Sequence, residues 1–541
     1  MDFSPQRVLE RVKLNVDALR TMGETGLLKP RVAATAARSL RTWGPTLAAG
    51  YIASAQRSPD AVGIIDDEGA LTFAEIDDLS NRLAIVLAGR GVAPETPVGV
   101  LTRNSRWFSI CTTALNKLGA TVLYMNTGFA GPQLADVMHR EGGTLLLHDD
   151  EFTDAVVEHA PDLARIVADR PDRRGDADSV PDLVATATGL QPEPPAKQGK
   201  QVILTSGTTG VPKGASRSNE GVTDIVATSA LFQRVPFKVG DVHVIPAPAF
   251  HSLGNAALLM AAQLSQTAVM TRKFDPLKVL QLITEHRARA MTAVPVMLQR
   301  MVDLSDEERA GIDTSSLEVV MCSGSALPGS LAIRWMDAFG DNLHNMYGST
   351  EVAAATIATP EDMRAAPGTA GKPLAGVEVR LYDDADQVIT DAGVDGRIFV
   401  GSVLRFDGYT GGQTKPMIDG LISTGDLGSW DSAGRLYVGG RDDDMIVSGG
   451  ENLYPREVED LVADMEGVTE VAIVGVDDDE YGKRLAAFVV LDDGAELSAD
   501  DIKAHIKANL ANFKVPRSFT FLDELPRNAT GKVLKRELRE A

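Results

Sequence analysis

Between residues 62 and 321 short apolar runs alternate with stretches of helical length, and that alternation limits the fold more than any other feature of the chain. Val62-Gly63-Ile64-Ile65 and Leu71-Thr72-Phe73 flank the turn Asp66-Asp67-Glu68-Gly69, which predicts a hairpin with a helix over 74–89 behind it. Pro97-Val98-Gly99-Val100-Leu101 predicts a buried strand, followed by a helix over 107–118 and a strand over 121–124. Leu145-Leu146-Leu147, Arg165-Ile166-Val167 and the segments 242–245, 267–270, 290–293 and 319–321 continue the series. Strands separated by helices are joined by crossovers and lie parallel, with the helices covering the sheet faces. The expected fold class is therefore α/β, with stacked and mostly parallel sheets.

Other segments depart from this pattern. Residues 170–200 are rich in Asp, Pro and Gly and read as a surface connection. From about 370 to 440 the chain shortens into strands (377–381, 397–400, 436–438) between Gly/Asp turns, which predicts a small antiparallel β subdomain. Beyond Gly439-Gly440-Arg441 a compact α+β module is expected, with helices at 455–465 and 499–510 and strands at 471–474 and 487–491. A chain of 541 residues is too long for one ordinary domain. The expected division is a flank at 1–45, a large domain at 46–440 and a small C-terminal domain at 441–541.

The flank differs in charge. Residues 1–45 hold eight Lys/Arg against four acids and are +4, so that the rest of a chain of net charge −22 carries −26. Leu9, Val12, Val16 and Leu19 fall at helical spacing, as do Val32, Ala36, Leu40 and Trp43. Two basic amphipathic helices are expected, either packed on their own domain or lying on an anionic membrane surface. The overall acidity argues against nucleic acid as a partner, because phosphate backbones require a basic footprint. Cys111 and Cys322 sit in apolar surroundings and read as buried reduced thiols of a cytoplasmic protein. No uncharged apolar run approaches the roughly 20 residues of a membrane span.

The densest motif is Thr205-Ser206-Gly207-Thr208-Thr209-Gly210-Val211-Pro212-Lys213-Gly214, directly after the strand-like Val202-Ile203-Leu204. Glycines let backbone approach a bulky anion, exposed N–H groups and hydroxyls hold phosphate oxygens, and a lysine adds charge. The spacing is not that of a Walker A loop. Alone, the run reads as a solvated Ser/Thr/Gly turn, and the rest of the chain reverses that reading. Four further motifs follow in order. They are Pro248-Ala249-Phe250-His251-Ser252-Leu253-Gly254; Asn345-Met346-Tyr347-Gly348-Ser349-Thr350-Glu351, after the turn Ser323-Gly324-Ser325-Ala326-Leu327-Pro328; Ser423-Thr424-Gly425-Asp426 with Gly440-Arg441-Asp442-Asp443-Asp444; and Pro526-Arg527-Asn528-Ala529-Thr530-Gly531-Lys532.

This ordered set resembles the adenylate-forming superfamily of acyl-CoA synthetases, peptide-synthetase adenylation domains and beetle luciferases, over roughly residues 50–541. Among these the chain is most similar to a bacterial fatty acyl-CoA synthetase. The resemblance implies a large N-terminal domain and a small mobile C-terminal one, with ATP, Mg2+ and CoA as ligands. It assigns Thr205, Ser206, Gly207, Thr208, Thr209 and Lys213 to the β- and γ-phosphates. Thr350 falls to the α-phosphate, Glu351 to Mg2+, and Tyr347 with the Gly324-Ser325-Ala326 backbone to adenine. Asp426 and Arg441 fall to the ribose, and Lys532 bridges the substrate carboxylate and the α-phosphate. His251 lies where nucleotide and acyl sites meet, the remaining histidines being ordinary core groups. Asp443 is the hinge, and Gly449 and Gly450 line the pantetheine passage.

Peptide-synthetase relatives that take α-amino acids carry an aspartate directly after the motif's Phe; this chain has His251 there. The small apolar run from Leu253 to Ala262 leaves room for an alkyl chain, at roughly 0.8 kcal/mol per buried methylene. The expected substrate is a medium- or long-chain fatty acid, activated to acyl-AMP and passed to CoA. An aryl or short-chain acid, a carrier-protein acceptor, or a non-catalytic nucleotide- or lipid-binding homologue are the alternatives. Expected partners are the acid, ATP and CoA, an anionic membrane surface reached peripherally from the cytoplasm, and a second copy of the chain as a homodimer.

Overall fold

A computed structural model describes residues 5–169, 178–206, 212–217, 225–402, 408–410, 414–441, 446–448, 451–453, 455–478, 482–510, 514–529 and 531–540. Two large sheets dominate it. One has nine strands in the spatial order Lys372–Pro373, Ala353–Ala358, Leu343–Ser349, Val319–Cys322, Ala290–Ala293, Val242–Val244, Thr267–Val269, Val62–Asp66 and Gly69–Thr72. Its six central strands are parallel, and its edge strands pair antiparallel. The other has seven, in the order Gly408–Tyr409, Pro212–Arg217, Gln201–Ser206, Thr121–Tyr124, Pro97–Leu101, Leu145–His148 and Ala164–Val167. Here the last five strands are parallel. The alternation read from sequence thus yields stacked parallel sheets, with most strand ends within a residue of expectation.

A helical layer joins the sheets. The helices Leu47–Arg57, Phe73–Gly89, Arg106–Leu118 and Ser252–Gln263 pack together, and one core unites Val98, Val100 and Val122 of the seven-stranded sheet with Ile64 and Ala268 of the nine-stranded one. Helix Arg106–Leu118 is buried along nearly its whole length. Even Lys117 has no exposed side-chain surface; it donates to Asp77 Oδ1 and Asn81 Oδ1 at 2.6 Å each, so its charge is compensated where it is desolvated.

An antiparallel sheet follows, containing Val388–Ile389, Glu378–Tyr382, Gly396–Gly401, Leu421–Trp430 and Met417–Ile418, with Leu436–Arg441 paired to Leu421–Trp430. The C-terminal segment forms the sheet Val468–Asp478, Gly482–Leu491, Ser518–Phe521 with helices Pro455–Ala463 and Ala499–Asn509 around its own core. Both cysteines are buried and free, and burial pushes their thiols well above the ordinary range.

The structure corrects some expectations. The connection after residue 170 contains a helix, Val180–Thr186, capped by Ser179 and seated by buried Val180 and Val184. In the flank, helix Pro5–Thr25 packs on helix Ile225–Arg234, and helix Pro30–Trp43 packs on Leu47–Arg57. Both helices therefore pack on the rest of the chain, the second partly through its expected stripe and the first, in its described part, through Ala18 instead. Ala18, Val32 and Trp43 turn inward, whereas Val16, Leu19 and Leu40 face out. The side chains of Leu9 and Val12 lie outside the described residues.

One side chain ties the two sheets at the edge where their parallel strands end. Asn104, just beyond Pro97–Leu101, donates through Nδ2 to the carbonyls of Ile245 (3.1 Å) and Ala247 (2.9 Å) and accepts from the Ala249 N–H at 2.7 Å. It is buried, so Asn104→Ala strands one donor and two acceptors. The expected loss is about 2–4 kcal/mol, read as a lower urea midpoint for unfolding of the large domain. An unchanged midpoint would show that this clamp carries no load.

Candidate active site

The carboxyl ends of the parallel strands deliver the motif residues to one edge, where open α/β sheets place their ligands. The first motif becomes a hairpin. Gln201–Ser206 pairs antiparallel with Pro212–Arg217, Thr205 opposite Lys213. The second strand of this hairpin was not legible in the glycine-rich run. Gly207, Thr208 and Thr209 lie outside the described residues, and Thr205, Ser206 and Lys213 are described in backbone alone.

Beside this hairpin, in the nine-stranded sheet, Val319–Cys322 leads into the exposed turn Gly324-Ser325-Ala326, with Gly324 at φ +97°. The next strand, Leu343–Ser349, carries Tyr347 and ends at Thr350 and Glu351, both nearly buried. Two tyrosines join this strand end to the other sheets. The Tyr347 hydroxyl donates to Asp426 Oδ2 at 2.6 Å, reaching the antiparallel sheet. The Tyr409 hydroxyl, from the edge of the seven-stranded sheet, donates to Glu351 Oε1 at 2.5 Å. Asp426 stands directly opposite Arg441 in the antiparallel register.

Glu351 has its ionisation settled locally. Burial works to raise its pKa, but the bonds from Tyr409 and Ser349 and the nearby Lys415 charge outweigh it and hold the carboxyl below the usual range. Lys415 is itself anchored by donating to the Thr424 carbonyl at 2.8 Å. Tyr409 and Lys415 were not singled out from sequence. A tyrosine after glycine and a lysine before proline carry no pattern of their own, and only the fold brings them to Glu351.

His251 precedes helix Ser252–Gln263, and its carbonyl accepts from the Asn255 N–H at 2.9 Å. Its pKa is pushed down to about 4, first by burial and then by the positive charge of Lys532. Lys532 thus acts on His251 although some 280 residues separate them. The turn that carries it seats against the end of strand Ala290–Ala293. A Cβ added at Gly531 would lie 2.7 Å from Val296 Cγ1 and 3.3 Å from Val294 Cγ2. Internal bonds stiffen the turn: Asn528 N–H to the Lys532 carbonyl at 3.0 Å, Lys532 N–H to Asn528 Oδ1 at 2.9 Å, and Arg527 to the Gly531 carbonyl at 2.5 Å. Arg441 is described in backbone alone, and Asp443, Gly449 and Gly450 fall outside the described residues. The histidines His243 and His344 are satisfied core groups, bonded to Gln266 and Thr292 and to the Asn342 carbonyl.

Comparison with known proteins decides the family. The model of the AMP-binding enzymes matches residues 52–410, and that of their C-terminal domain matches residues 457–532. The chain belongs to the AMP-binding, adenylate-forming enzymes. Its class is that of acid–CoA ligases that form AMP, with ATP, Mg2+ and CoA. This adenylate-forming enzyme is 32% identical over 479 residues to the long-chain-fatty-acid–CoA ligase FadD13 of Mycobacterium tuberculosis, covering 87% of this chain and 93% of that one. It is 31% identical to a ligase of the same organism named for a methyl-dioxo-octahydroindenyl propanoyl substrate, covering 89% and 96%. Among solved structures it resembles ATP-bound MatB from Rhodopseudomonas palustris, with a TM-score of 0.79 and 27% identity over 92% of this chain and 98% of that one.

The depressed pKa has a checkable consequence. A histidine at about 4 when folded, against 6.5 ordinarily, contributes stability that is present above pH 6.5 and lost as pH falls through 4. The ring resonances of His251 in the NMR spectrum should therefore stay flat from pH 8 to 5.5 and move only below. Lys532→Met should shift that midpoint upward. A midpoint near 6.5 in the unsubstituted enzyme would contradict the burial.

Proposed function

We propose that the chain activates a medium- or long-chain fatty acid to acyl-AMP, releasing pyrophosphate, and then transfers the acyl group to CoA, releasing AMP. The observation that carries the acyl assignment is helix Ser252–Gln263. It begins beside His251 and keeps a stripe of Asn255, Ala256, Leu259 and Met260 at least partly open while its other faces are buried. An alkyl chain laid along such a stripe, with its carboxylate at the His251 end, would gain roughly 0.8 kcal/mol per buried methylene. The named substrate of FadD13 agrees with this reading. A second reading, a ring-bearing acid with oxygen substituents, is favoured by Asn255 on that stripe, hydrogen-bonded to buried Tyr124, and by the second relative's substrate name. CoA is the proposed acceptor and the cytoplasm the proposed compartment.

In this reading the acid's carboxylate attacks the α-phosphorus, the bond to the β-phosphate oxygen breaks, and pyrophosphate leaves. Acceleration comes from positioning and from compensating developing negative charge. Thr205, Ser206, Gly207, Thr208, Thr209 and Lys213 would hold the outer phosphates, and Thr350 the α-phosphate. Glu351, kept ionised by Tyr409 and Lys415, suits a hard ion that takes one carboxylate together with phosphate oxygens. Among the described residues no three carboxylate, histidine or cysteine side chains converge as a ready-made cage, so Mg2+ would share its coordination with the nucleotide. Tyr347, its hydroxyl fixed by Asp426, would stack on adenine against the Gly324-Ser325-Ala326 backbone, and Asp426 with Arg441 would take the ribose. Lys532 would bridge the two reacting anions. His251, kept neutral, would shape the acyl site without adding charge. For thioester formation the C-terminal module would rotate about Asp443, withdrawing Lys532 and opening the passage beside Gly449 and Gly450.

ATP–pyrophosphate exchange over a panel of acids tests the substrate. Exchange should be strongest with dodecanoate or longer acids; exchange with benzoates alone would reject the fatty-acid reading. Lys532→Ala should abolish exchange yet leave thioester formation from supplied acyl-AMP largely intact. Equal loss of both half-reactions would reject the two-pose assignment.

A further inference from the structure

The flank has an outer face that neither the fold nor the proposed reaction uses. Helix Pro5–Thr25 is held inward by Ala18, fully buried, and by the Val239 N–H bonding to the Thr25 carbonyl at 2.9 Å. Helix Pro30–Trp43 is held by Val32, Trp43 and the Ser39 hydroxyl, which donates to the Ala49 carbonyl at 2.6 Å. Away from these contacts Val16 (58% exposed) and Leu19 (47%) on the first helix, Leu28 (43%) in the turn between and Leu40 (37%) on the second face solvent. These are four of the ten large apolar residues exposed among the described residues, within 25 positions; the other six are dispersed along the rest of the chain. Interleaved with them are the exposed basic residues Arg20, Lys29, Arg31, Arg38 and Arg41; the acids among the flank's described side chains are half-buried Asp17 and exposed Glu24, which pairs with Arg20. The flank also lies outside both family models, whose matches begin at residue 52.

We propose that this face docks the protein peripherally on an anionic lipid bilayer. The composition selects that occupant. Basic side chains attract anionic headgroups, at about 1 kcal/mol each near the surface, and apolar side chains enter the boundary between headgroups and acyl chains. A second copy of the chain would supply negative charge from its body, but outside the flank the exposed large apolar residues among the described residues are spread along the sequence from Val157 to Phe521. No helix among the described residues is long and apolar enough to cross the membrane. The inference is independent of which acid is activated.

The test is co-sedimentation of the full chain with phosphatidylcholine vesicles containing about one third phosphatidylserine, compared with phosphatidylcholine alone. Binding should require the anionic lipid and fall steeply with salt. Val16→Asp with Leu19→Asp, and separately Arg38→Glu with Arg41→Glu, should each weaken it about tenfold or more. Both pairs face solvent, so ATP–pyrophosphate exchange and the thermal midpoint should stay as in the unsubstituted protein, which separates lost docking from misfolding. Wild-type protein that stays in the supernatant, or variants that bind as well as wild type, would overturn the proposal. So would a vesicle-independent dimer in sedimentation velocity that these substitutions dissolve.

Discussion

Two parallel sheets can build one site only if the edges at which their strands end are held together, because the motif-bearing connections leave each sheet at that edge. Asn104 supplies part of this constraint, beside Arg106 on Asp66 and Arg272 on Asp149 and Asp169. Its amide belongs to one sheet and bonds three backbone groups of the other, within the segment that runs on to His251. Burial makes the arrangement exacting: no water stands ready to replace a bond that a shifted sheet would break. The helical layer between the sheets supplies area for burial, but area alone sets no register. The amide fixes where the histidine and the helix after it stand relative to the hairpin that ends in the glycine-rich turn.

The electrostatics of the site run against those of the molecule. A strongly acidic chain might be expected to repel a nucleotide, yet the groups at the strand ends are arranged so that charges are compensated or suppressed. Glu351 is kept ionised by a tyrosine from the edge of the seven-stranded sheet and a lysine from the connection before strand Met417–Ile418. His251 is kept neutral by burial and by Lys532. Asp426 accepts a hydrogen bond from the Tyr347 hydroxyl and stands opposite Arg441 in the ladder. The proton states of Glu351 and His251 are thus set before a ligand arrives, and little reorganisation of these two remains for binding itself to drive.

Much of this was legible in the sequence, for a physical reason. Parallel strands are short, apolar and bounded by turns, so their pattern survives without tertiary information, and runs such as Pro97-Val98-Gly99-Val100-Leu101 coincide with the observed strand. What escaped is what only tertiary contact creates. Pro212–Arg217 is a strand by virtue of its pairing with Gln201–Ser206, although its composition is that of a turn. Val180–Thr186 is too short to show a period, and its surroundings are rich in helix breakers. The outward turn of Val16, Leu19 and Leu40 reversed the usual sense of an amphipathic stripe, since spacing shows which residues share a face but not which way that face points. Tyr409, Lys415 and Asn104 matter through partners far away in the chain, and no local signal could announce them.

The seam between the C-terminal turn and the large domain is lined by absent atoms. A Cβ on Gly531 would meet Val296, and one on Gly128 would come within 3.1 Å of the Ala529 side chain. Two hydrogens, one on each side of the joint, therefore let the turn that carries Lys532 seat this closely. A methyl at either place would act as a shim, propping the lysine outward by a fraction of an ångström while leaving every charged group in the sequence. Spacing at this joint is held by what the chain omits, so the two glycines govern reach as surely as the lysine governs charge.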